Sequence, residues 1–241
     1  MSLSLIKNDR VREKRVVPRF PLKTMAWKCE VISGHALLVK DISYTGMQIG
    51  CAGEIERLNI GETYKGLLKW GGDQLELKGK VRWVKAEPTG TVFGLEFDCT
   101  NGLAAELKRF LRIGQISKRM RLINRDDFSV ETPTDLKYWL KSDGPGEIFF
   151  WQHRDGEFSR IQLLILDKLI EWIDGEGLKT GLLVENRNIE SPLSPKEEIL
   201  FDMDEQVDLE SLQLARDLIT GLPSELIPDN VLQFLQRKLG H

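Results

Sequence analysis

Between Lys23 and Phe97 the chain breaks into six short runs of alternating apolar and polar residues, 23–31, 36–42, 46–51, 62–70, 73–85 and 90–97. Period-two alternation sends successive side chains to opposite faces, so each run reads as a half-buried strand and not as a helix. The pair Gly71-Gly72 stands between KGLLKW and DQLELKGKVRWV. Two glycines in a row accept the positive φ angles of a tight hairpin. Six such strands joined by short connections predict an antiparallel meander that closes into a small barrel.

The flanks of this block differ in character. Residues 1–22 are polar and basic, and Pro18 and Pro21 prevent a helix from running on into the first strand, so the segment is expected to be an extended arm. After the strands, Leu103, Leu107, Phe110 and Leu111 recur at helical spacing behind Asn101, a residue suited to capping. They predict one trailing helix over 101–120, with Lys108, Arg109, Arg112, Lys118 and Arg119 on its outer face. Barrel and helix together occupy 23–122.

A second, α+β domain is expected over 124–241. Thr134 or Asp135 is read as starting a short helix through Tyr138-Trp139-Leu140, stopped at Gly144-Pro145-Gly146. Residues 158–173 fit either a helix or consecutive strands, and the flanking Asp-Gly turns favour strands. GLLVE at 181–185 and EEILFDM at 197–203 read as strands, and 208–220 and 224–239 as closing helices. The chain is thus mainly β, α+β overall.

Net charge is −3, but the sign is divided. Residues 1–120 carry 21 Lys and Arg against 13 Asp and Glu, and residues 121–241 carry 13 against 24. An excess of eight positive charges over several strands is small for a nucleic-acid binder, which gains affinity from many phosphate contacts, and it suits a small phosphorylated ligand. Cys29, Cys51 and Cys99 lack metal-ligand spacing and are expected as reduced, buried thiols. Neither a signal peptide nor an apolar run of membrane-spanning length is legible, so a cytoplasmic location without membrane insertion is expected.

Two short segments carry chemistry. In REKRVVPRF, Arg15 and Arg19 lie four apart on the arm, and guanidinium groups both grip phosphate with paired donors and stack on aromatic rings. In DISYTG, Asp41 can accept from the paired N–H donors of a guanine edge and Ser43 offers a hydroxyl. Gly46 allows a close backbone approach or positive φ. Each segment alone also fits a bland reading, as a solvated tail and as an ordinary turn.

Taken together, RxxxR on an N-terminal arm followed by [DN]xSxxG on a β-turn resembles the PilZ domain family, and VRWVK at 81–85 and VFGLEF at 92–97 resemble that family's closing strands. The resemblance covers roughly residues 7–120. It implies a six-stranded barrel, a cyclic di-GMP ligand and no catalysis. Carried over by position, it implies that Arg15 and Arg19 hold phosphates and guanine faces, Asp41 and Ser43 contact guanine and phosphate, and Gly46 permits close packing. A receptor that controls motility, pili or exopolysaccharide is the function implied, with residues 124–241 meeting an unknown protein partner. The alternative is a barrel of this family that binds no nucleotide and serves as a protein-interaction module.

Other features are assigned structural roles. Trp83 on an alternating strand is read as core packing in preference to a guanine-stacking platform. Phe149, Phe150 and Trp151 should divide between two faces of a strand. The three histidines are scattered, and the paired carboxylates of the acidic half have no matched base, so neither a metal site, a cofactor nor an enzyme is expected.

Overall fold

The computed structural model describes residues 12–17, 25–29, 32, 36–53, 55, 58–88, 90–98, 101–124, 134–187 and 197–240. The six expected strands form: β2 (Ala26–Cys29), β3 (Leu37–Ile42), β4 (Gly46–Ala52), β5 (Thr63–Trp70), β6 (Asp73–Glu87) and β7 (Gly90–Phe97) close into an antiparallel barrel. Gly71 and Gly72 take φ of 57° and 93° and turn β5 into β6. The order around the barrel is β2-β3-β4-β7-β6-β5, which corrects the expected meander. The connection after β4 carries the chain to the far edge, so β5 pairs with β2 while β7 comes back to lie along β4. Every barrel strand gains two neighbours and no edge is left open.

Trp27, Leu68, Leu77 and Phe93 are fully buried inside this barrel. Close packing is visible at Gly66, opposite Cys29 on β2, where an added Cβ would overlap the Trp27 indole. Cys29 and Cys51 are buried free thiols, and Cys99 lies outside the described residues.

The expected single trailing helix is two, α1 (Asn101–Phe110) and α2 (Ile113–Lys118). Leu107, Phe110 and Leu111 share one face, but on a straight helix Ile113 would point away from it. Arg112 adopts extended angles, φ −62° and ψ 136°, and this break lets Ile113 and Ile116 be buried as well.

The C-terminal half is built on one sheet ordered β1-β14-β13-β12-β11-β10-β9-β8. Its strands are β8 (Met120–Leu122), β9 (Leu136–Ser142), β10 (Gly146–Gln152), β11 (Phe158–Ile165), β12 (Lys168–Ile173), β13 (Gly177–Arg187) and β14 (Glu197–Met203), with β1 (Arg12–Val17) from the N-terminal arm added against β14. The short helix expected through Tyr138-Trp139-Leu140 is therefore a strand. Pairing of Trp139 with Phe149 and of Tyr138 with Phe150 stabilises it as one. Cross-strand aromatic contacts outweigh a local helix-start signal.

Phe150 faces one apolar cluster and Phe149 and Trp151 the other, as period two requires. Helices α3 (Leu209–Thr220) and α4 (Asp229–Lys238) cover the first face.

The two halves touch through α2. Ser142 Oγ donates to the Ile116 carbonyl at 2.9 Å, and Ser117 Oγ to the Leu218 carbonyl of α3 at 2.5 Å. These contacts are buried, while Lys108, Arg109, Arg112 and Lys118 remain exposed. The junction is thus apolar and hydrogen-bonded, and the basic face does not form it. Among the described residues no helix is long and apolar enough to cross a membrane.

Candidate functional site

Asp41 is the fifth residue of β3, and the turn Ser43–Thr45 leads into Gly46 at the head of β4. Register slips between Val39 and Asp41, a bulge that re-aims the end of the strand. Asp41 Oδ1 accepts the Ile42 N–H at 2.9 Å. The Ser43 N–H donates to the Gly46 carbonyl at 2.9 Å, and Ser43 Oγ accepts the Thr45 N–H at 3.2 Å. The turn is thereby held by its own short polar side chains.

Gly46 is needed for close approach and not for a positive φ. A Cβ there would stand 2.5 Å from the Leu95 carbonyl oxygen of β7.

Asp41, Ser43 and Gly46 converge on the rim of one cleft of about 790 Å³. Its floor is the outer face of β6, where Trp83, Lys85 and Glu87 follow one another at alternate positions. Trp83 is 40% exposed, which corrects its assignment to the core. The reason is local: register shifts between Val81 and Trp83, so the bulge reverses which residues point outward. The indole packs against the bare backbone of Gly94, where an added Cβ would overlap it. Its other face is toward the cleft.

Lys40 pairs with Glu87 at 3.3 Å, and the Glu87 side chain is only 7% exposed. Its second oxygen, Oε1, is buried and has no hydrogen-bond partner among the described residues. A desolvated acceptor of this kind is costly unless a donor arrives.

The opposite wall belongs to the C-terminal half: Leu166 and Asp167 from the β11–β12 turn, and Leu183 and Val184 from β13. Leu166 has φ 59° and is buried, an uncommon conformation for a residue with a side chain. The Leu183 N–H donates to the Asp167 carbonyl at 2.7 Å and ties turn to strand. Burial pushes the Asp167 carboxyl above its ordinary range and nearby Asp41 adds to the push, against Lys168. Tyr44, inside the β3–β4 turn, is likewise raised, by burial first and then by Asp167 and Glu210.

Arg15 sits on β1 opposite Ile199, two strands from the cleft wall formed by β13, a separation of roughly 10 Å at ordinary strand spacing. Arg19 lies outside the described residues. The structure thus gathers Asp41, Ser43 and Gly46 and brings the strand of Arg15 to the neighbouring sheet. Lys85, Glu87 and Asp167 were missed by sequence reasoning. For Lys85 and Glu87 the signal was their alternate spacing with Trp83; for Asp167 there was none beyond the Asp167-Lys168 pair between two apolar runs. Among the described residues no group of three His, Cys, Asp or Glu is placed to hold a metal ion.

Comparison with known proteins gives one family: a model described as PilZ domain matches residues 9–112. No curated protein matches the chain. Among solved structures, it is similar to the crystal structure of the Borreliella burgdorferi PlzA protein in complex with c-di-GMP, at 13% identity and TM-score 0.26 over 81% of this chain and 86% of that one. It is also similar to the Bacillus subtilis inhibitor of motility MotI/DgrA, at 12% identity and TM-score 0.25 over 85% of this chain and 97% of that one.

Proposed function

We propose that the protein is a receptor for cyclic di-GMP, since a PilZ domain model matches residues 9–112, and that the ligand occupies the cleft between the β3–β4 turn and the β11–β12 turn. The observation that carries this reading is the convergence of Asp41, Ser43 and Gly46 on a cleft floored by an exposed tryptophan. Trp83 offers a purine a flat apolar face, and stacking of a base on an aromatic ring is worth about 1–3 kcal/mol. Asp41 accepts from the Watson–Crick edge of a guanine, while Ser43 and Lys85 meet phosphate. Arg15 and Arg19 approach from the arm and supply paired donors to phosphate.

In this reading residues 1–22 are the arm, 23–122 the ligand-binding unit and 124–241 the output unit that meets a protein partner. The arm links them physically, since β1 carries Arg15 and is also a strand of the C-terminal sheet. Ligand that engages Arg15 acts on the pairing of β1 with β14, and so on the surface the second unit presents.

A competition titration tests this. Cyclic di-GMP should bind the full chain and resist displacement by a long polyanion at moderate salt. Preference for the polyanion with steep salt dependence would instead indicate a nucleic-acid binder. Absence of binding to either would indicate an interaction module.

A further inference from the structure

Asp41, Ser43 and Gly46 lie on the barrel side of the cleft, yet the C-terminal half supplies a wall of its own. On that wall Leu166, Leu183 and Val184 are apolar, and Asp167 is the one ionisable group among the described residues. Lys168 offsets this charge only in part, and its ammonium is shared with Asp208 at 3.5 Å. A carboxylate held in a partly desolvated position beside another carboxylate is unfavourable unless something compensates. Nothing in the strand pairing requires an acid at this turn.

The cleft also contains Glu87 Oε1, which has no hydrogen-bond partner among the described residues. Acceptors on both walls call for a ligand rich in donors. A phosphate presents none. A guanine edge presents two adjacent ones, the N1–H and the exocyclic amine, and matches a carboxylate with two parallel hydrogen bonds.

We propose that Asp167 is a ligand-binding residue contributed by the C-terminal half, accepting the Watson–Crick edge of a guanine so that the nucleotide bridges the two halves across the cleft. This rests on the cyclic di-GMP reading above and deepens it. The second half is then a participant in recognition as well as its recipient. The turn that presents Asp167 also carries the positive-φ Leu166 and is anchored through the Asp167 carbonyl to β13, which holds the backbone that bears the carboxylate.

The test uses the full chain and calorimetric titration with cyclic di-GMP, comparing wild type with Asp41→Ala, Asp167→Ala and Asp167→Asn. Both Asp167 variants should bind about tenfold more weakly, as expected for losing charge-assisted hydrogen bonds. Without ligand, Asp167→Asn should melt at neutral pH no lower than wild type, because the amide removes a desolvated charge while filling the same space. That combination separates a ligand contact from a structural role.

Unchanged affinity in both Asp167 variants, with Asp41→Ala impaired, would overturn the role of Asp167 and leave the receptor reading standing. A lowered melting temperature in Asp167→Asn that tracks its lost affinity would also overturn it. If wild type does not bind, the receptor reading fails and this inference with it.

Discussion

The barrel closes on itself, whereas the C-terminal sheet is open and takes its last strand, β1, from the opposite end of the chain. Closure makes the barrel a fixed platform, with its turn residues bonded to one another and its outer face held by bulges and bare glycines. The sheet depends on a segment that also bears Arg15. The two walls of the cleft therefore belong to regions built differently. Both shape the cleft, and in the proposed reading the one with a borrowed strand also responds to what fills it.

Substitutions can break or sharpen this contrast. The largest effect is expected from Phe93→Ala in the barrel, where a fully buried ring is removed and a cavity remains. It should cost about 3–5 kcal/mol in denaturant unfolding. Since one apolar cluster runs from the barrel through α2 to α3 and α4, a single transition is expected. Two separate transitions would break the picture of coupled halves.

Next come Arg15→Ala and Arg19→Ala, each expected to weaken cyclic di-GMP binding by about 1.5–3 kcal/mol, roughly ten- to a hundredfold in Kd. Arg15→Ala should also alter hydrogen exchange along β14 when ligand is present, an effect absent without ligand.

Trp83→Ala should cost about 1–3 kcal/mol of binding with little change in stability, because the ring sits on the outside of the barrel. If the variant instead unfolds without losing affinity, the ring belongs to the core after all.

The smallest effect belongs to the sheet's helical cover. Asp208 caps α3, accepting from the N–H groups of Glu210 and Ser211 and from Ser211 Oγ, and these bonds, that of the Ser211 hydroxyl foremost, hold its carboxyl below the ordinary range. A lowered folded-state value means the contribution is present above the unfolded value and is lost as pH falls through the folded one. Asp208→Ala should cost about 1 kcal/mol near neutral pH, and the gap to wild type should close in acid.

Much of the barrel was legible because alternation and a double-glycine turn are local signals. Asp41, Ser43 and Gly46 were legible for the same reason, lying together on one turn. What sequence reasoning missed depends on distant partners or on single-residue slips. The bulge after Val81 reverses the alternation that placed Trp83 inside. Strand β9 looked helical until Phe149 and Phe150 were available to pair with it. The union of β1 (Arg12–Val17) with β14 (Glu197–Met203) joins segments far apart in the chain, and no local pattern announces it. Asp167 reads with Lys168 as an ordinary polar pair between apolar runs until the fold sets it across from Asp41.

Hydrogen exchange on the full chain, with and without saturating cyclic di-GMP, tests the central claim most directly. A ligand held in the shared cleft should slow exchange at Ile42 to Gly46 on the barrel side and at Leu166 to Lys168 on the sheet side together. Protection confined to one of these two turns, or unchanged exchange at both, would contradict it.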